Sequence, residues 1–236
     1  MSTVHIGANK ENIAKTVLMP GDPKRAEYIA KKFLDKVELV NVVRGMTAYT
    51  GYYKDKMVTI FPSGMGNPSM GIYSYELFKF YDVDNIIRIG SCGSYTPECG
   101  LNDTVLVTYS CSDSNYAKVM DGYEYNYIMA NQELNNVIEN TANGLGIKLK
   151  TGNIFSSDVF YEKIDNGKWR HEQFKALGIE MESFALFNNA RALNKKASCL
   201  LTVSNTFYDN QELSAKEREQ HLDNMIIIAL ESSLKI

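Results

Sequence analysis

The stretch that decides the fold is Asp84-Asn-Ile-Ile-Arg-Ile-Gly-Ser-Cys-Gly-Ser94. Its apolar residues Ile86 and Ile87 are typical of a buried strand in a parallel sheet. The glycine-rich end, Gly90 to Gly93, predicts a turn at the carboxyl end of that strand. Open α/β sheets bind their ligands outside the carboxyl ends of their strands. We therefore expect an α/β fold with a functional site at this end of the sheet.

Arg88 is the unusual residue within this strand. A buried guanidinium is costly unless an anion or a carboxylate pairs with it. Ser91 supplies a hydroxyl nearby, and the glycines allow backbone N–H groups to approach a ligand closely. Two interpretations stay open at this point. One is an oxyanion site, most simply for phosphate, and the other is a structural pair between Arg88 and a carboxylate beneath a tight turn.

The composition argues against several classes of protein. The 236 residues are 44% hydrophobic, which is ample for a core, and their length fits one large domain or two small ones. A net charge of −3 gives no global attraction to nucleic acid or to anionic membranes. No apolar run approaches the length of a membrane span, and the first residues lack the pattern of a signal peptide. We therefore expect a cytoplasmic protein that binds neither nucleic acid nor membranes.

The cysteines and histidines predict neither disulfides nor a metal site. The cysteines contain no C-x-x-C pair, which indicates reduced thiols, and the histidines are too scattered for a zinc site. These residues are Cys92, Cys99, Cys111 and Cys199, and His5, His171 and His221.

Apolar strands alternate with glycine-containing turns and helices along the chain. The segments 16–19 and 57–61 are short apolar strands, and each precedes a glycine-containing turn. After the first turn, Asp22 is a plausible helix N-cap and Pro23 suits the first helical position. Together with the strand around Ile86, glycine turns follow three apolar strands. This pattern predicts a central mixed, mainly parallel twisted sheet flanked by helices.

The remaining segments extend the same pattern. Residues 111–130 are polar and rich in tyrosine and are expected to form a loop or a short lid, while Ser214-Ala-Lys-Glu217 is a capping box for the last helix. No internal repeat or linker is present, so we expect a single domain over residues 1–236. Further strands are predicted at 37–43, 47–53, 104–108, 149–155 and 197–203, and helices at 25–33, 69–81, 131–145, 169–177, 183–193 and 214–234.

Several motifs occur in a characteristic order along the whole chain. They are Val17-Leu-Met-Pro-Gly-Asp-Pro-Lys-Arg25, Asn41-Val-Val-Arg-Gly-Met46, Ser63-Gly-Met-Gly66, Ile86-Ile-Arg-Ile-Gly-Ser-Cys-Gly93, Phe155-Ser-Ser-Asp-Val-Phe-Tyr161 and Glu180-Met-Glu182. Taken together, these motifs resemble the hexameric, bacterial-type purine nucleoside phosphorylases of the nucleoside phosphorylase-I superfamily. The resemblance implies that superfamily's α/β fold and covers essentially the whole chain.

The resemblance implies phosphorolysis, in which a purine nucleoside and phosphate give the free base and ribose 1-phosphate. By position, Gly21, Arg25, Arg88 and Ser91 match the phosphate site, and Arg44 matches an arginine that the neighbouring subunit contributes. Three arginines suit a dianion because each guanidinium presents a fixed fork of donors to phosphate oxygens. The resemblance implies no cofactor and no metal, with inorganic phosphate as the co-substrate.

The resemblance also assigns residues that bind the nucleoside. Glu182 suits the ribose, because a carboxylate accepts hydrogen bonds from two vicinal hydroxyls, although an acid here could instead interact with a helix dipole. His5 matches a residue that reaches the 5′-hydroxyl in the adjacent subunit, and otherwise it is a mobile terminal histidine. Phe160 and Ile179 match the residues that sandwich the purine, and otherwise both belong to the core. The full set is His5, Met65, Phe160, Ile179, Glu180, Met181, Glu182, Ser204 and Asn205.

One position departs from the family pattern. The family has Ser-Asp at the end of the last strand, and its aspartic acid protonates purine N7. This chain has Ser204-Asn205, and an amide cannot act as that acid. Arg218 matches the arginine that partners the acid when the final helix moves. Asn205 and Arg218 are therefore the candidate catalytic residues, while Asp209 lies nearby in the sequence without an assigned role.

The resemblance implies a homo-oligomer, expected to be a hexamer built as a trimer of dimers, in which His5 and Arg44 enter the neighbouring site. Three alternative functions stay open. Uridine phosphorylase shares the fold, but it reads pyrimidines with a glutamine and an arginine where this chain continues Glu162-Lys-Ile-Asp-Asn. A nucleosidase would use water, against which the phosphate-type arginines argue. A nucleoside-binding homologue with weakened catalysis stays open because of Asn205.

Overall fold

The computed structural model describes residues 2–164, 166–214 and 222–236, and its strands form one ten-stranded sheet. The strands are β1 Thr16–Met19, β2 Asp35–Asn41, β3 Ala48–Tyr53, β4 Lys56–Ile60, β5 Asn85–Ser94, β6 Thr104–Cys111, β7 Tyr127–Met129, β8 Leu149–Ser156, β9 Ala176–Glu180 and β10 Lys196–Thr206. The helices within these ranges are α1 Pro23–Phe33, α2 Gly66–Phe80, α3 Tyr116–Asp121, α4 Gln132–Gly144, α5 Gly167–Phe174, α6 Ser183–Ala192 and α7 Asp223–Ser233.

Strand β5 is the centre of the sheet. It pairs in parallel with β1 on one side and with β10 on the other, and β4, β3 and β2 continue beyond β1. Beyond β10 the order runs through β6 and β8 to β9, which pairs antiparallel with the end of β5. Strands β5, β10, β6, β8 and β9 therefore close into a ring. The predicted mixed α/β sheet with flanking helices is confirmed.

The alternation of side chains along β5 places Arg88 on a defined face of the sheet. Ile87 and Ile89 pack into the core cluster that contains α1, α4 and α7, whereas Ile86 packs into the cluster that contains α2 and α6. Because successive strand residues point to opposite faces, Arg88 shares the face of Ile86. The guanidinium therefore lies on the side of the sheet where α2 and α6 begin.

The glycine turn predicted at Gly90 to Gly93 is wrong, because β5 continues to Ser94. Past the end of β1, the strand gains β9 as a new neighbour and stays paired with β10. The glycines allow other groups to cross this strand closely. A Cβ at Gly90 would lie 2.7 Å from Arg88 Nη2, and a Cβ at Gly178 on β9 would collide with the Gly93 carbonyl. Glycine is needed at these positions because a side chain would not fit, and not because the chain turns there.

The turns after β1 and β4 are confirmed at residues 20–22 and 61–65. Asp22 caps α1, since its Oδ1 accepts the backbone N–H of Lys24 over 2.9 Å, and Pro23 is the first helical residue. The loop predicted at 111–130 is wrong in part, because it contains α3 and β7. The helix predicted at 169–177 also runs too far, because β9 begins at Ala176.

The last predicted helix is only partly covered by the structure. Helix α7 spans Asp223–Ser233, and residues 215–221 of the predicted helix, including Glu217 of the capping box, lie outside the described residues. Within the ranges that the structure describes, no helix has the length and apolar character needed to cross a bilayer.

Candidate active site

The guanidinium of Arg88 lies between two buried carboxylates. Its Nε donates to Glu180 Oε2 over 2.9 Å, and its Nη2 donates to Glu182 Oε2. Arg88, Glu180 and Glu182 are each 5% exposed or less. Nη1 is also buried and has no hydrogen-bond partner among the described residues. The structural pair is thus present, and the same guanidinium keeps donors for a further acceptor.

The carboxylate of Glu180 is fully used by the protein. It accepts from Arg88 Nε, from the backbone N–H of Glu182 over 2.9 Å, and from both the N–H and the Oγ–H of Ser183. An ionised carboxylate offers about four lone-pair sites, and these four donors fill them. Ser183 Oγ also lies 2.7 Å from Ser110 Oγ, so Glu180 is fixed to the first turn of α6 and to strand β6.

Glu182 has a different environment and retains accepting capacity. Its Oε1 accepts the backbone N–H of Gly66 over 2.7 Å, while its Oε2 accepts from Arg88. Each oxygen therefore has one donor and a second lone pair that remains. Gly66 has a φ of +85°, a conformation that favours glycine, and it starts α2. The carboxylate is held where the first turns of α2 and α6 meet.

The two carboxylates have pKa shifts of opposite sign. Burial raises the pKa of Glu182, and the nearby negative charge of Glu180 adds to the rise. Burial also acts on Glu180, but the Arg88 charge and the hydrogen bonds from Ser183 and Glu182 outweigh it and lower that pKa. Burial opposes the charge of Arg88, yet the two carboxylates raise the pKa of the guanidinium, so it stays protonated.

Of the residues predicted to bind phosphate, Gly21 follows the end of β1, and Ser91 lies beyond Arg88 towards the end of β5. Met19 at the end of β1 pairs with Arg88, and Gly21 follows it in a turn that contacts the turn after β4. A Cβ at Gly21 would lie 3.5 Å from the Gly64 carbonyl oxygen. Ser91 lies three residues beyond Arg88 on β5 and is half-buried. The carboxyl ends of these parallel strands therefore form one edge beside the guanidinium.

The other two predicted arginines differ in exposure. Arg25 is half-buried on the first turn of α1, which begins directly after the Gly21 turn. Arg44 is exposed in a short turn and adopts a left-handed conformation with φ 57°. Burial raises the pKa of Tyr73 on α2, and the positive charge of Arg44 opposes that rise.

His5 lies at the middle of α2. Its Nδ1 is 2.7 Å from Glu76 Oε1, and its ring centroid is 6.1 Å from that of Tyr73. Glu76 Oε2 accepts from Thr3 Oγ1, so the amino-terminal segment is fixed to this helix. The rise of an α-helix puts Glu76 about 15 Å along the axis from Gly66, which binds Glu182. His5 therefore lies away from the Glu182 end of α2.

Four strands present one continuous row of paired residues at the predicted base site. Phe155 pairs with Ile179, Ile179 pairs with Gly93, and Gly93 pairs with Asn205. Paired residues on neighbouring strands project to the same face. Asn205 and Ile179 thus flank Gly93, which has no side chain and is buried.

Asn205 follows an irregularity in the pairing of β10 with β5, between Val203 and Asn205. Ser204 Oγ lies 3.3 Å from Asn205 Oδ1 and 3.3 Å from the Cys92 carbonyl oxygen. Asn205 Nδ2 would lie 2.8 Å from a Cβ at Gly93. In this orientation the Asn205 amide directs its donor over Gly93.

The remaining predicted nucleoside-binding residues are more exposed than the carboxylates. Met65 is 84% exposed just before α2, and Phe160 is 74% exposed in the segment after β8. Met181 is half-buried between Glu180 and Glu182, and Ile179 is half-buried on β9. The structure thus brings a deeply buried charged cluster close to a set of apolar side chains at the surface.

Two further residues were named from the sequence, and the structure describes only one of them. Arg218 lies outside the described residues. Asp209 is exposed, and its Oδ1 accepts from Thr206 Oγ1 within its own loop. That hydrogen bond gives the carboxylate a local structural role.

Sequence reasoning missed several groups of this site. The backbone N–H of Gly66 binds Glu182, and the signal for it was the left-handed glycine in Ser63-Gly-Met-Gly66. The ring of Phe207 lies over Gly93, with its Cε2 2.5 Å from where a Cβ would be. Glu76 as the partner of His5 had no local signal, because the two residues are separated by 71 positions.

Comparison with known proteins agrees with this geometry. The model of a family described as the phosphorylase superfamily matches residues 15–231. A purine nucleoside phosphorylase of the DeoD type from Mycoplasma genitalium is 44% identical over 236 residues, which are 99% of both chains. Proteins of the same name from Psychromonas ingrahamii and from a Thermoanaerobacter strain are each 42% identical, and the matches cover at least 97% of both chains.

The matched region contains all ten strands and the buried cluster of Arg88, Glu180 and Glu182. The chain therefore belongs to the phosphorylase superfamily, within the family of DeoD-type purine nucleoside phosphorylases.

Proposed function

We propose that this protein is a purine nucleoside phosphorylase, which cleaves purine ribonucleosides and deoxyribonucleosides with phosphate to give the free base and the sugar 1-phosphate. The observation that supports the proposal best is the hydrogen bonding of the Arg88 guanidinium. Glu180 holds its Nε, while Nη1 is buried and has no partner among the described residues. A fixed cation with a remaining pair of donors, next to a carboxylate with remaining lone pairs, suits an anion and a sugar side by side.

In this proposal phosphate binds against Arg88, with Arg25, Gly21 and Ser91 at the same edge of the sheet. Arg44 of a neighbouring subunit completes the positive charge around the dianion. These donors hold the nucleophile in line with the sugar, and such positioning supplies much of the rate enhancement in bimolecular reactions. No metal or organic cofactor takes part in the proposed reaction.

Glu182 is assigned to the ribose, because its remaining lone pairs can accept from two vicinal hydroxyls. Met181 packs against the sugar. We assign Glu180 to holding Arg88 and Glu182 in place, since its four protein donors leave no capacity for a direct contact with the nucleoside.

In this proposal the base lies between Ile179 and Phe160, with Met65 and Ser204 at its margin. Asn205 contacts the N7 edge. A phosphate oxygen forms the new bond to C1′ while the bond from C1′ to N9 breaks, and that electron pair goes to the purine. Because an amide is not an acid, water supplies the proton to the departing base. The rate then depends on how well the hydrogen-bonding groups of the amide match those of the base.

The proposed assembly is a hexamer made of three dimers, in the cytoplasm, with a role in purine salvage. Its support is the location of His5, which contacts Glu76 and Tyr73 away from the Glu182 end of α2, together with the exposure of Arg44. These features favour a role for both side chains in the site of another copy.

A phosphate-dependent assay with inosine, guanosine, adenosine and uridine side by side tests this proposal. We expect cleavage of the purine nucleosides that requires phosphate and yields ribose 1-phosphate. Cleavage without phosphate would instead identify a nucleosidase, and preference for uridine would identify a uridine phosphorylase. The specific observation that favours a binding protein is Asn205, and tight inosine binding with no turnover at saturating phosphate would establish that function.

A further inference from the structure

A bidentate ion pair fixes the segment that carries Phe160. Glu162 Oε1 lies 2.6 Å from Arg170 Nη2, and Glu162 Oε2 lies 3.0 Å from Arg170 Nη1. Arg170 is 3% exposed on α5, while Glu162 is two residues from Phe160. Ser157 Oγ, at the start of the same segment, lies 3.3 Å from Glu162 Oε1. The segment 157–164 is therefore tethered to a buried arginine.

The same arginine is fixed to the sheet beneath the base site. Its guanidinium carbon lies 4.3 Å from the centroid of the Phe155 ring. Phe155 is fully buried and begins the row of paired residues that runs through Ile179 and Gly93 to Asn205. A guanidinium stacked on an aromatic face is both attracted to it and restricted in its orientation. Arg170 thus links Glu162, through Phe155, to this row of paired residues.

A second link leads from Arg170 to the opposite side of the base site. Arg170 Nη1 donates to the Tyr95 hydroxyl over 3.4 Å, and the ring centroid of Tyr95 is 5.4 Å from that of Phe207. The Phe207 ring covers Gly93. One guanidinium therefore connects the segment of Phe160 with the aromatic ring on the far side of Gly93.

We propose that Arg170 is a positioning residue for the purine base, which it serves by holding Phe160 and Phe207 at the distance that the base requires. This inference rests on the proposed function, because it deepens the assignment of the base site. Phe160 is 74% exposed, so little packing of its own fixes the ring, and the tether through Glu162 replaces that packing.

The surroundings of Arg170 indicate why this position needs an arginine. Its Nη2 is also 3.9 Å from Asp113 Oδ2, and that carboxylate is largely exposed. A lysine would keep the positive charge but could not bind both oxygens of Glu162 and the Tyr95 hydroxyl in one plane. The proposal therefore concerns the geometry of the fork and not only its charge.

The test uses Arg170→Lys and Glu162→Gln, in the full-length protein. Glu162 is at the surface, so its substitution keeps the test valid if Arg170→Lys does not fold. The matched control is Glu172→Gln, which removes a glutamate of α5 whose pairing with Lys168 is exposed, at 3.8 Å. Calorimetry with hypoxanthine and, separately, with inorganic phosphate measures the two affinities, and inosine phosphorolysis gives KM and kcat.

We expect each variant to weaken hypoxanthine binding and to raise the KM for inosine about tenfold or more, since misplacing a positioning group by about 1 Å can cost 10²-fold. Phosphate affinity should change less than about twofold, since Arg88 is not touched. The double variant should bind hypoxanthine about as well as the single variant with the lower affinity. The two substitutions should not add, because the two residues act as one unit. Trypsin should also cleave faster after Lys163, and the control should match the unmodified protein in every measurement.

Unchanged hypoxanthine affinity in Glu162→Gln, or in a folded Arg170→Lys, would overturn the inference. So would equal weakening of hypoxanthine and phosphate, which would indicate a role in stability alone. Failure of the proposed function is separate, because it would appear as absence of phosphate-dependent cleavage by the unmodified protein. In that case hypoxanthine calorimetry would still test the role of Arg170. A protein that does not bind hypoxanthine at all would contradict the inference as well.

Discussion

Arg88 Nε lies 2.9 Å from Glu180 Oε2, and both side chains are almost wholly buried. Glu182 accepts from the same guanidinium, so one cation faces two carboxylates. Breaking a buried ion pair by removing one partner typically costs about 3–5 kcal/mol, because the other charge is left uncompensated. The stability of the site and its affinity for phosphate are therefore linked through these three residues.

The first prediction concerns the dependence of stability on pH. The pKa of Glu182 is raised in the folded state, so its favourable contribution is complete below the ordinary glutamate pKa and is lost as pH rises through the raised value. Glutamine does not titrate. We expect the free energy of unfolding of Glu182→Gln, relative to the unmodified protein, to increase between about pH 4 and pH 7.

Glu180→Gln is the matched control, and its sign is opposite. The pKa of Glu180 is lowered in the folded state, so its contribution is present above the ordinary pKa and is lost as pH falls through the lowered value. The relative stability of this variant should therefore decrease as pH rises through the acid range. Urea unfolding at several pH values measures both differences, and two curves of the same slope would contradict the assignment.

The second prediction is that Arg88→Ala removes phosphate binding. Losing a charge-assisted contact to the anion should cost roughly 2–5 kcal/mol of binding free energy. The substitution also leaves Glu180 and Glu182 without their cation, so the protein itself should be destabilised. The double variant Arg88→Ala with Glu180→Gln should recover part of the stability without recovering phosphate binding, as calorimetry and thermal unfolding would show.

Arg191→Ala is the control for Arg88→Ala. Arg191 pairs with Asp121 at the surface, and its side chain is 39% exposed. Surface pairs contribute about 0–1 kcal/mol, so phosphate affinity and stability should change little. If Arg88→Ala binds phosphate as well as Arg191→Ala does, Arg88 is structural and the anion binds elsewhere.

The sequence allowed the fold and the place of Arg88 in a buried strand to be predicted, because both follow from local patterns. Ile86 and Ile87 mark the buried strand, and Asp22 with Pro23 marks the start of α1. Of the two interpretations left open for Arg88, the pair with a carboxylate is confirmed, whereas the oxyanion site stays a prediction. Its carboxylate partners are present, and its Nη1 donors remain without a partner among the described residues.

The partners themselves could not be predicted from local patterns. Glu180 lies 92 positions from Arg88 in the sequence, and only the closure of the ring of strands brings them together. The resemblance identified the motif that contains Glu180, but it did not indicate that this carboxylate is filled by protein donors. The prediction of a turn at the glycine-rich stretch was wrong because close contacts, rather than a turn, require glycine there. Gly90 lies against the Arg88 side chain, and Gly93 lies against the distant residues Asn205 and Phe207.

The third prediction is that active sites are shared between subunits. His5 lies near Tyr73, away from Glu182 of its own chain, and Arg44 is exposed. Arg44→Ala and Arg88→Ala should each be inactive alone. When the two variants are mixed and reassembled, some sites contain both Arg44 and Arg88, each from a different subunit. Phosphorolysis should therefore recover in part. A verified mixed oligomer with no recovered activity would show that the sites are not shared.

The last prediction concerns Asn205 and the choice of base. Protonation at N7 relieves the negative charge of a departing purine, and a positioned general acid is typically worth about 10²–10⁴ in rate. The Asn205 amide has a donor and an acceptor instead. With adenine it can donate to N7 and accept from the 6-amino group, as asparagine does on adenine in DNA. That match exists in the ground state, so it improves binding more than rate.

A 6-oxopurine behaves differently, because N7 and O6 both accept and the amide is only half satisfied at first. Once water has protonated N7, the amide of Asn205 accepts from N7–H and donates to O6, so the match appears late and accelerates the reaction. We expect inosine and guanosine to turn over faster than adenosine, and Asn205→Asp to raise adenosine turnover by about tenfold or more. Ser204, whose Oγ lies 3.3 Å from Asn205 Oδ1, should support the aspartate equally well. Steady-state rates of both proteins with adenosine and inosine test this prediction. It would be wrong if the unmodified protein cleaved adenosine as fast as inosine and Asn205→Asp changed neither rate.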